Sequence, residues 1–160
     1  MAETVLVELF KHNRWANDQL LEFCGSLKDE QLDKSSPGTY GSIKDTLVHL
    51  VAAQSRYVLA LSGNPSETEV HESKGYPGVD TLRKSSRETS ERLVDLATKH
   101  QQDSTIEARY RNENVTLQVS TLLLQAINHA TEHRAHVCTI LGQQGVEPPV
   151  IDGWAYDKAR

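Results

Sequence analysis

The sequence predicts an all-α protein, a four-helix bundle with a short β-hairpin before the last long helix. Four long segments place apolar residues at helical spacing, so each predicts an amphipathic helix. Residues 105–119 instead alternate apolar and polar side chains on both sides of a turn-forming stretch, which predicts two paired strands. Amphipathic helices bury their apolar faces against one another, and four of them favour a bundle.

Composition favours one globular domain over residues 1–160. Hydrophobic residues make up 38% of the chain and charged residues 24%, enough to build an apolar core under a charged surface. The net charge of -5 should repel nucleic acid. The two cysteines form no paired motif, no apolar run is long enough to span a membrane, and the first residues lack a signal-peptide pattern. We therefore expect a cytoplasmic protein with neither a membrane nor a nucleic-acid partner.

The first two long helices are predicted over residues 4–24 and 43–61. Ser42 and Asp45, three residues apart at the start of the second of them, match a capping box. Ser26 is predicted to cap a short helix between the two.

The second half of the chain is predicted to hold two more long helices. The third helix is expected over residues 79–99 and the hairpin over 105–119, with its turn at 111–114. Ser120 is predicted to cap the fourth helix, which runs over residues 121–143.

The remaining segments are expected to cover the bundle. Trp15 is predicted to pack in the core, and the aromatic, proline-containing tail at 146–156 to pack back over the helices. The loops at 35–42 and 66–78 are expected to shape the pocket. His71 lies in the second loop among glutamates, and this loop is interpreted as solvated.

Three histidines predict a metal site. His129 and His133 are four residues apart, which places both rings on one face of the fourth helix, among its apolar residues. A buried imidazole is costly without a partner, and a shared divalent metal is such a partner. His49 lies on the apolar side of the second long helix and is predicted to converge with the pair, because bundle metal sites use inward side chains of facing helices. Three neutral imidazoles leave open coordination positions, the catalytic pattern, and zinc, nickel, cobalt or iron all accept this set.

His136 competes with the pair for membership of the site. It follows His133 by three residues, but the seven residues from His129 span roughly 10 Å of helix, too far for one ion to bind both. The spacing leaves two pairs open, His129 with His133 or His133 with His136. Outside the site, His136 is either a proton carrier at the pocket mouth or, as we favour, a surface residue. His12 and Glu132 are interpreted as surface polar residues.

Several motifs together resemble the DinB/YfiT-like superfamily of metalloenzymes, which is unrelated to the DNA polymerase that shares the DinB name. The resemblance spans nearly the whole chain. It is carried by Trp15–Asn17, by the segment 41–50 that contains His49, by the segment 128–134 that contains the histidine pair, and by the tail from Gly145 with Asp152 and Tyr156.

The resemblance implies an up-down-down-up bundle, often a homodimer, with a divalent metal, commonly nickel or zinc, on His49, His129 and His133. Characterised members include thiol-dependent S-transferases and a mycothiol-dependent isomerase, in which the metal activates a low-molecular-weight thiol as thiolate. The family pattern usually continues after Arg134 with Gly-Gln, whereas Ala-His follows here, so we expect the surroundings of the metal to differ from those in relatives.

The leading hypothesis is a metal-dependent transferase or hydrolase that acts on a small-molecule substrate, with a low-molecular-weight thiol as a co-substrate. The alternative is a non-catalytic metal-binding module of a stress response. That alternative predicts a closed fourth coordination position, and no acidic residue lies in register to supply it. A DNA-binding function conflicts with the acidic balance of the chain.

Overall fold

Four long helices pack side by side in the part of the chain that the structure describes. This structure is a computed structural model and describes residues 4–100, 102–110 and 112–160. Two strands form an antiparallel hairpin immediately before the last long helix, which confirms the predicted fold class. In chain order the elements are α1 (Val5–Gly25), the short α2 (Asp29–Leu32), α3 (Ile43–Ser62), a single 3₁₀ turn (Glu72–Lys74), α4 (Val79–Lys99), β1 (Thr105–Tyr110), β2 (Glu113–Gln118), α5 (Val119–Gln143) and the short α6 (Gly153–Ala159).

The long helices run up, down, down and up. α1 is antiparallel to α4, since Asp18 pairs with Arg87 and Glu22 with Arg83. α3 and α4 are parallel, because the hydrogen bonds between them advance along both helices in the same direction. The start of α3 packs with the end of α5, so these two helices are antiparallel and directly adjacent.

A buried polar layer crosses the bundle between two apolar core clusters. One cluster lies at the end of the bundle that contains Leu20, Leu47 and Val137, and the other contains Phe10 and Leu123. Along every long helix, the polar residues fall between the two apolar sets. The polar layer is formed by Asn13, Asn17, Gln54, Thr89, Ser90 and Arg134.

The predicted start of α3 is confirmed by its hydrogen bonds. The Ser42 hydroxyl accepts from the backbone N–H of Asp45 at 3.1 Å, and the Asp45 carboxylate accepts from the backbone N–H of Ser42 at 3.2 Å. This capping box satisfies backbone groups that the first helical turn leaves free. It therefore fixes where α3 begins, and with it the position of His49.

Two other predicted helix starts are wrong. Ser26 ends α1 rather than beginning the next helix, because its hydroxyl donates back to the Phe23 carbonyl at 2.7 Å, and α2 begins only at Asp29. α5 begins before Ser120. The hydroxyl and backbone N–H of Ser120 donate to Asp103, at 2.7 and 3.1 Å, so a carboxylate from outside the helix satisfies them.

The hairpin is confirmed, although its second strand ends one residue earlier than expected. Ile106 lies opposite Leu117, and residue 119 already belongs to α5. The turn predicted at 111–114 is too long, because Glu113 and Asn114 already belong to β2 and pair with β1, and residue 111 lies outside the described residues.

The C-terminal tail packs against α1, as predicted, and forms a helix that was not predicted. The Tyr156 ring lies 5.6 Å from the Trp15 ring and 5.5 Å from the His12 ring, measured between centroids. Trp15 is therefore half-buried beneath the tail rather than in the core, and that prediction is wrong. His12 is also not a simple surface residue, because its Nε2 lies 3.0 Å from the carbonyl oxygen of Ile151.

Candidate metal centre

Three imidazoles meet at the seam between α3 and α5. One nitrogen from each of His49, His129 and His133 lies within 4.8 Å of the other two. The ring centroids are 4.3 to 4.9 Å apart. Side chains from two antiparallel helices thus converge on one point, and the three histidines could hold a metal ion.

The sequence of the two helices explains the convergence. His129 and His133 follow one another by one turn of α5 and point to the same side of that helix. Alanines are buried on both helices near the histidines, at Ala52 on α3 and at Ala126 and Ala130 on α5. Small residues allow the two backbones to approach closely, so that short imidazole side chains can meet across the seam.

The spacing of the ring nitrogens is compatible with a shared ion. Nε2 of His49 and Nε2 of His129 are 3.0 Å apart. Two imidazole nitrogens that each lie about 2.1 Å from one ion are separated by roughly 3.0 to 3.4 Å, depending on the coordination angle. The Nδ1 of His133 is buried and has no hydrogen-bond partner among the described residues.

Two tyrosines flank the histidine cluster. The Tyr40 ring stacks on the His49 ring, with 4.0 Å between centroids and 18° between planes, and meets the His133 ring edge-on at 5.3 Å. The Tyr57 ring lies edge-on to His129 at 5.9 Å. These contacts restrict the rotation of the imidazoles and shield one side of the cluster from water.

A carboxylate from the loop after α3 lies behind His49. Glu72 Oε2 is 3.0 Å from His49 Nδ1 and accepts a hydrogen bond from the Tyr40 hydroxyl at 3.1 Å. Glu72 Oε1 accepts from Arg56 Nη1 at 2.6 Å. Residues 71–75 are exposed, as expected for a solvated loop, but the sequence did not indicate that Glu72 would contact one of the three converging histidines.

The electrostatics of the cluster keep two of its imidazoles neutral. Burial, together with the neighbouring rings of His133 and His49, lowers the pKa of His129 to about 4. Burial, together with His49 and His136, lowers the pKa of His133 to about 4 as well. Neutral imidazole is the form that binds metal, so each of these two rings keeps one unprotonated nitrogen at neutral pH.

The carboxylate of Glu72 remains ionised over the same pH range. Burial alone would raise its pKa, but the hydrogen bonds from His49 and Arg56 outweigh burial and lower the pKa to about 2. An anion therefore lies beside the cluster at any pH at which the imidazoles are neutral.

His136 lies beside the cluster rather than in it. Its ring is edge-on to His133, with 5.2 Å between centroids, and its buried Nδ1 has no hydrogen-bond partner among the described residues. Of the two pairs that the spacing left open, His129 with His133 is the one that the structure brings to His49.

A cavity of about 290 Å³ opens next to the cluster. It shares Tyr40 and Glu72 with the surroundings of His49, and both predicted pocket loops supply residues to it. Its lining consists of Tyr40, Asp45, Val48, Glu72, Gly75 and Tyr76.

The comparison with protein families agrees with the resemblance seen in the motifs. The model of the DinB family matches residues 1–160. The chain belongs to the DinB family. A search of curated proteins finds no match.

A solved structure shows the same DinB fold. The crystal structure of a DinB-like protein from Bacillus cereus ATCC 10987, at 2.01 Å resolution, superposes with a TM-score of 0.67 at 19% sequence identity. The match covers 93% of this chain and 98% of that chain. In the described part of this DinB protein, none of the helices combines the length and apolar character that crossing a membrane requires.

The polar layer holds the histidine-bearing helix of this DinB protein in place. Arg134, next to His133, donates from Nη1 to the side-chain oxygens of Asn13 and Asn17, the latter at 2.7 Å. Asn17 in turn donates to Gln54 on α3. Burial lowers the pKa of Arg134 to about 10, which still leaves it charged at neutral pH. These bonds tie α5 to α1 and, through Asn17, α1 to α3, and so oppose rotation of α5 about its axis.

The sequence predicted that His49, His129 and His133 converge, but it did not predict the contacts that Glu72 and Arg134 make around them. Glu72 was visible only as a carboxylate in a polar loop. The signal for Arg134 was the pair of amides at Asn13 and Asn17, four residues apart on the inner face of α1, where apolar residues would be expected.

Proposed function

We propose that the chain is a divalent-metal-dependent enzyme whose ion is held by His49, His129 and His133. The observation that carries the proposal is the convergence of three ring nitrogens from two helices. Zinc and nickel are the proposed ions, because both accept imidazole ligands. The low pKa of His129 and of His133 supports the proposal, since protons would not compete with the ion at neutral pH.

The proposed reaction class is thiol-dependent S-transfer or a related activation of water. A divalent ion on three neutral ligands would supply Lewis acidity, which lowers the pKa of a thiol or water molecule that it binds. Three protein ligands leave positions for such a molecule, as catalytic sites require and closed structural sites do not. Among the described residues, Glu72 is the carboxylate hydrogen-bonded to the cluster, and it contacts His49 through Nδ1, the ring nitrogen remote from His129.

The cavity next to His49 supports a small-molecule substrate. Its volume of about 290 Å³ lies at the lower end of ligand-sized pockets. The Tyr40 and Tyr76 rings offer apolar surface to the body of a substrate, and their hydroxyls offer hydrogen bonds. We propose that a low-molecular-weight thiol and its acceptor meet here, in the cytoplasm, where thiols stay reduced.

We also propose that the protein acts as a homodimer. Val5, Leu9 and Leu124 are exposed around one end of α1 and α5, and Leu9 and Leu124 line an apolar groove of about 310 Å³. Contiguous exposed apolar surface is typical of interaction sites. Sedimentation analysis should show a dimer whose dissociation constant rises when Leu124 is replaced by Glu.

The function is tested by metal analysis and a substrate panel on three proteins. Untagged wild type should contain stoichiometric metal and should conjugate a low-molecular-weight thiol to an electrophile. His133→Ala should lose both properties. His136→Ala is the matched control, because it removes a histidine from the same helix, one turn away, and should retain the metal. Circular dichroism verifies that the helices persist in both variants.

The possible results separate the alternatives. Wild type without bound metal would refute the proposed function. Stoichiometric metal without turnover on any thiol or hydrolysable substrate would instead favour the non-catalytic metal-binding module.

A further inference from the structure

One carboxylate, Glu72, gathers three donors behind His49. Its Oε2 contacts His49 Nδ1 and the Tyr40 hydroxyl, and its Oε1 contacts Arg56. A neutral imidazole carries one ring proton, and an ionised carboxylate can only accept hydrogen bonds. The contact between His49 and Glu72 therefore requires the imidazole proton on Nδ1. The Nε2 of His49 then bears the lone pair, and without an ion it accepts a hydrogen bond from Nε2 of His129 at 3.0 Å.

We propose that Glu72 is a positioning residue of the metal centre, which holds His49 in the tautomer and orientation that present Nε2 to an ion. This inference rests on the proposed metal-binding function. Histidine ligands commonly donate their second ring N–H to a carboxylate, and this outer partner fixes the tautomer and raises the basicity of the ligand. The stacked Tyr40 ring completes the clamp, because it blocks rotation of the His49 ring out of its plane.

The loop that carries Glu72 is itself fastened to the bundle. The carboxylate of Glu88 on α4 accepts hydrogen bonds from the backbone N–H groups of Glu67 and Thr68, at 2.8 and 2.9 Å, and from the Thr68 hydroxyl. The segment that carries Glu72 is thus attached to the bundle at two points, through Glu72 at His49 and through Glu67 and Thr68 at Glu88. A fastened loop loses less conformational freedom when the contact forms, so the carboxylate is better preorganised for its role.

The contact should also transmit metal binding to the loop. An ion on Nε2 makes the Nδ1 proton of His49 a stronger donor, which strengthens its bond to Glu72. Coupling between two events is reciprocal, so a bond that favours the ion is favoured by the ion. We therefore expect amide hydrogens of residues 72–75 to exchange more slowly when an ion is bound.

The variant Glu72→Gln removes the negative charge of the side chain and nearly preserves its shape. An amide has one oxygen where the carboxylate has two. If that oxygen faces His49, the amide N–H₂ faces the Arg56 guanidinium, donor against donor. If the amide is rotated by 180°, its N–H₂ faces Nδ1 of His49 and favours the tautomer with the proton on Nε2. A protonated Nε2 has no lone pair with which to bind an ion. The matched control is Glu69→Gln, a neutral substitution in the same loop at a residue that faces His71.

Three measurements test the proposal, with zinc as the probe. Competition with a chromogenic chelator should show zinc affinity roughly 10- to 100-fold weaker in Glu72→Gln than in wild type and unchanged in Glu69→Gln. Nitrogen-15 spectra of histidine-labelled, metal-free protein should place the His49 proton on Nδ1 in wild type and on Nε2 in Glu72→Gln. Zinc should slow amide exchange at residues 72–75 in wild type but not in Glu72→Gln.

The results distinguish this inference from the proposed function. Wild-type zinc affinity in Glu72→Gln, or an unchanged His49 tautomer, overturns the role of Glu72 even if the protein is a metalloenzyme. If wild type binds no zinc, the metal function fails first, and the spectra of metal-free protein still decide whether Glu72 sets the tautomer. Because Glu72 is a partly exposed loop residue, the variant should fold, and its melting temperature without metal should stay near that of wild type.

Discussion

Acidification should destabilise the metal-free protein through the histidine cluster. Both His129 and His133 have an ordinary pKa of 6.5 that the fold lowers to about 4. Between these two values the unfolded chain binds protons that the folded chain rejects, so the free energy of unfolding falls as the pH falls. The loss begins near the unfolded pKa of 6.5 and is complete once the pH is below the folded pKa of about 4.

The size of this loss follows from the two pKa values. Going from about pH 8 to about pH 5, one such group removes about 2 kcal/mol from the free energy of unfolding. The two groups together would remove about twice that, but His129 is partly exposed and solvent screens its repulsion from the other rings. We therefore expect a loss of roughly 2 kcal/mol for the pair, a substantial part of the 5–15 kcal/mol typical of a folded domain.

Urea unfolding of chelator-treated protein at the two pH values measures the loss. The matched control is the double variant His129→Asn with His133→Asn, which removes both titrations and leaves the carboxylates in place. The pH dependence of the wild type minus that of the double variant isolates the pair. An equal dependence in the two proteins, or a wild type that is more stable in acid, would refute the reasoning.

Three further perturbations have expected outcomes. Zinc at 100 times its dissociation constant should raise the free energy of unfolding by about 2.7 kcal/mol, measured by thermal unfolding and reversed by a chelator, whereas no shift would exclude binding to the folded state. Asn17→Leu deprives the buried Arg134 of one acceptor and should cost about 3 kcal/mol in urea unfolding, against about 0.5 kcal/mol or less for the exposed control Asn128→Leu. Ser42→Ala removes the helix cap of α3 and should cost about 1 kcal/mol by the same measurement, and an unchanged midpoint would contradict the role of the capping box.

The features that could be predicted from the sequence are those that local periodicity encodes. Apolar spacing located the four long helices, and the capping box placed the start of α3 correctly. The site was predictable because His129 and His133 are one turn apart on one helix, and because His49 lies on the apolar side of a helix that had to face it. Each of these inferences needs only the geometry of a helix and the rule that apolar faces pack together.

The features that were missed depend on contacts between distant parts of the chain. Glu72 lies 23 residues from His49, and a carboxylate in a polar loop ordinarily points to water. Asp103 holds the start of α5 from 17 residues away, so the local signal at Ser120 was misleading. The buried position of Arg134 could not be expected from its residue type, because an arginine that is only 4% exposed is rare. Two of its partners are amides on another helix.

The polar layer fixes the position of α5 along its neighbouring helices independently of the three histidines. Sliding α5 along its neighbours by one turn, about 5.4 Å, would move the guanidinium away from its amide partners and into an apolar cluster. The vertical register of the bundle is therefore specified by residues that lie outside the histidine cluster. If the side chains at positions 129 and 133 were replaced with thiols or carboxylates, the backbone should keep its position. The new ligands would then favour metal ions that the native imidazoles do not favour.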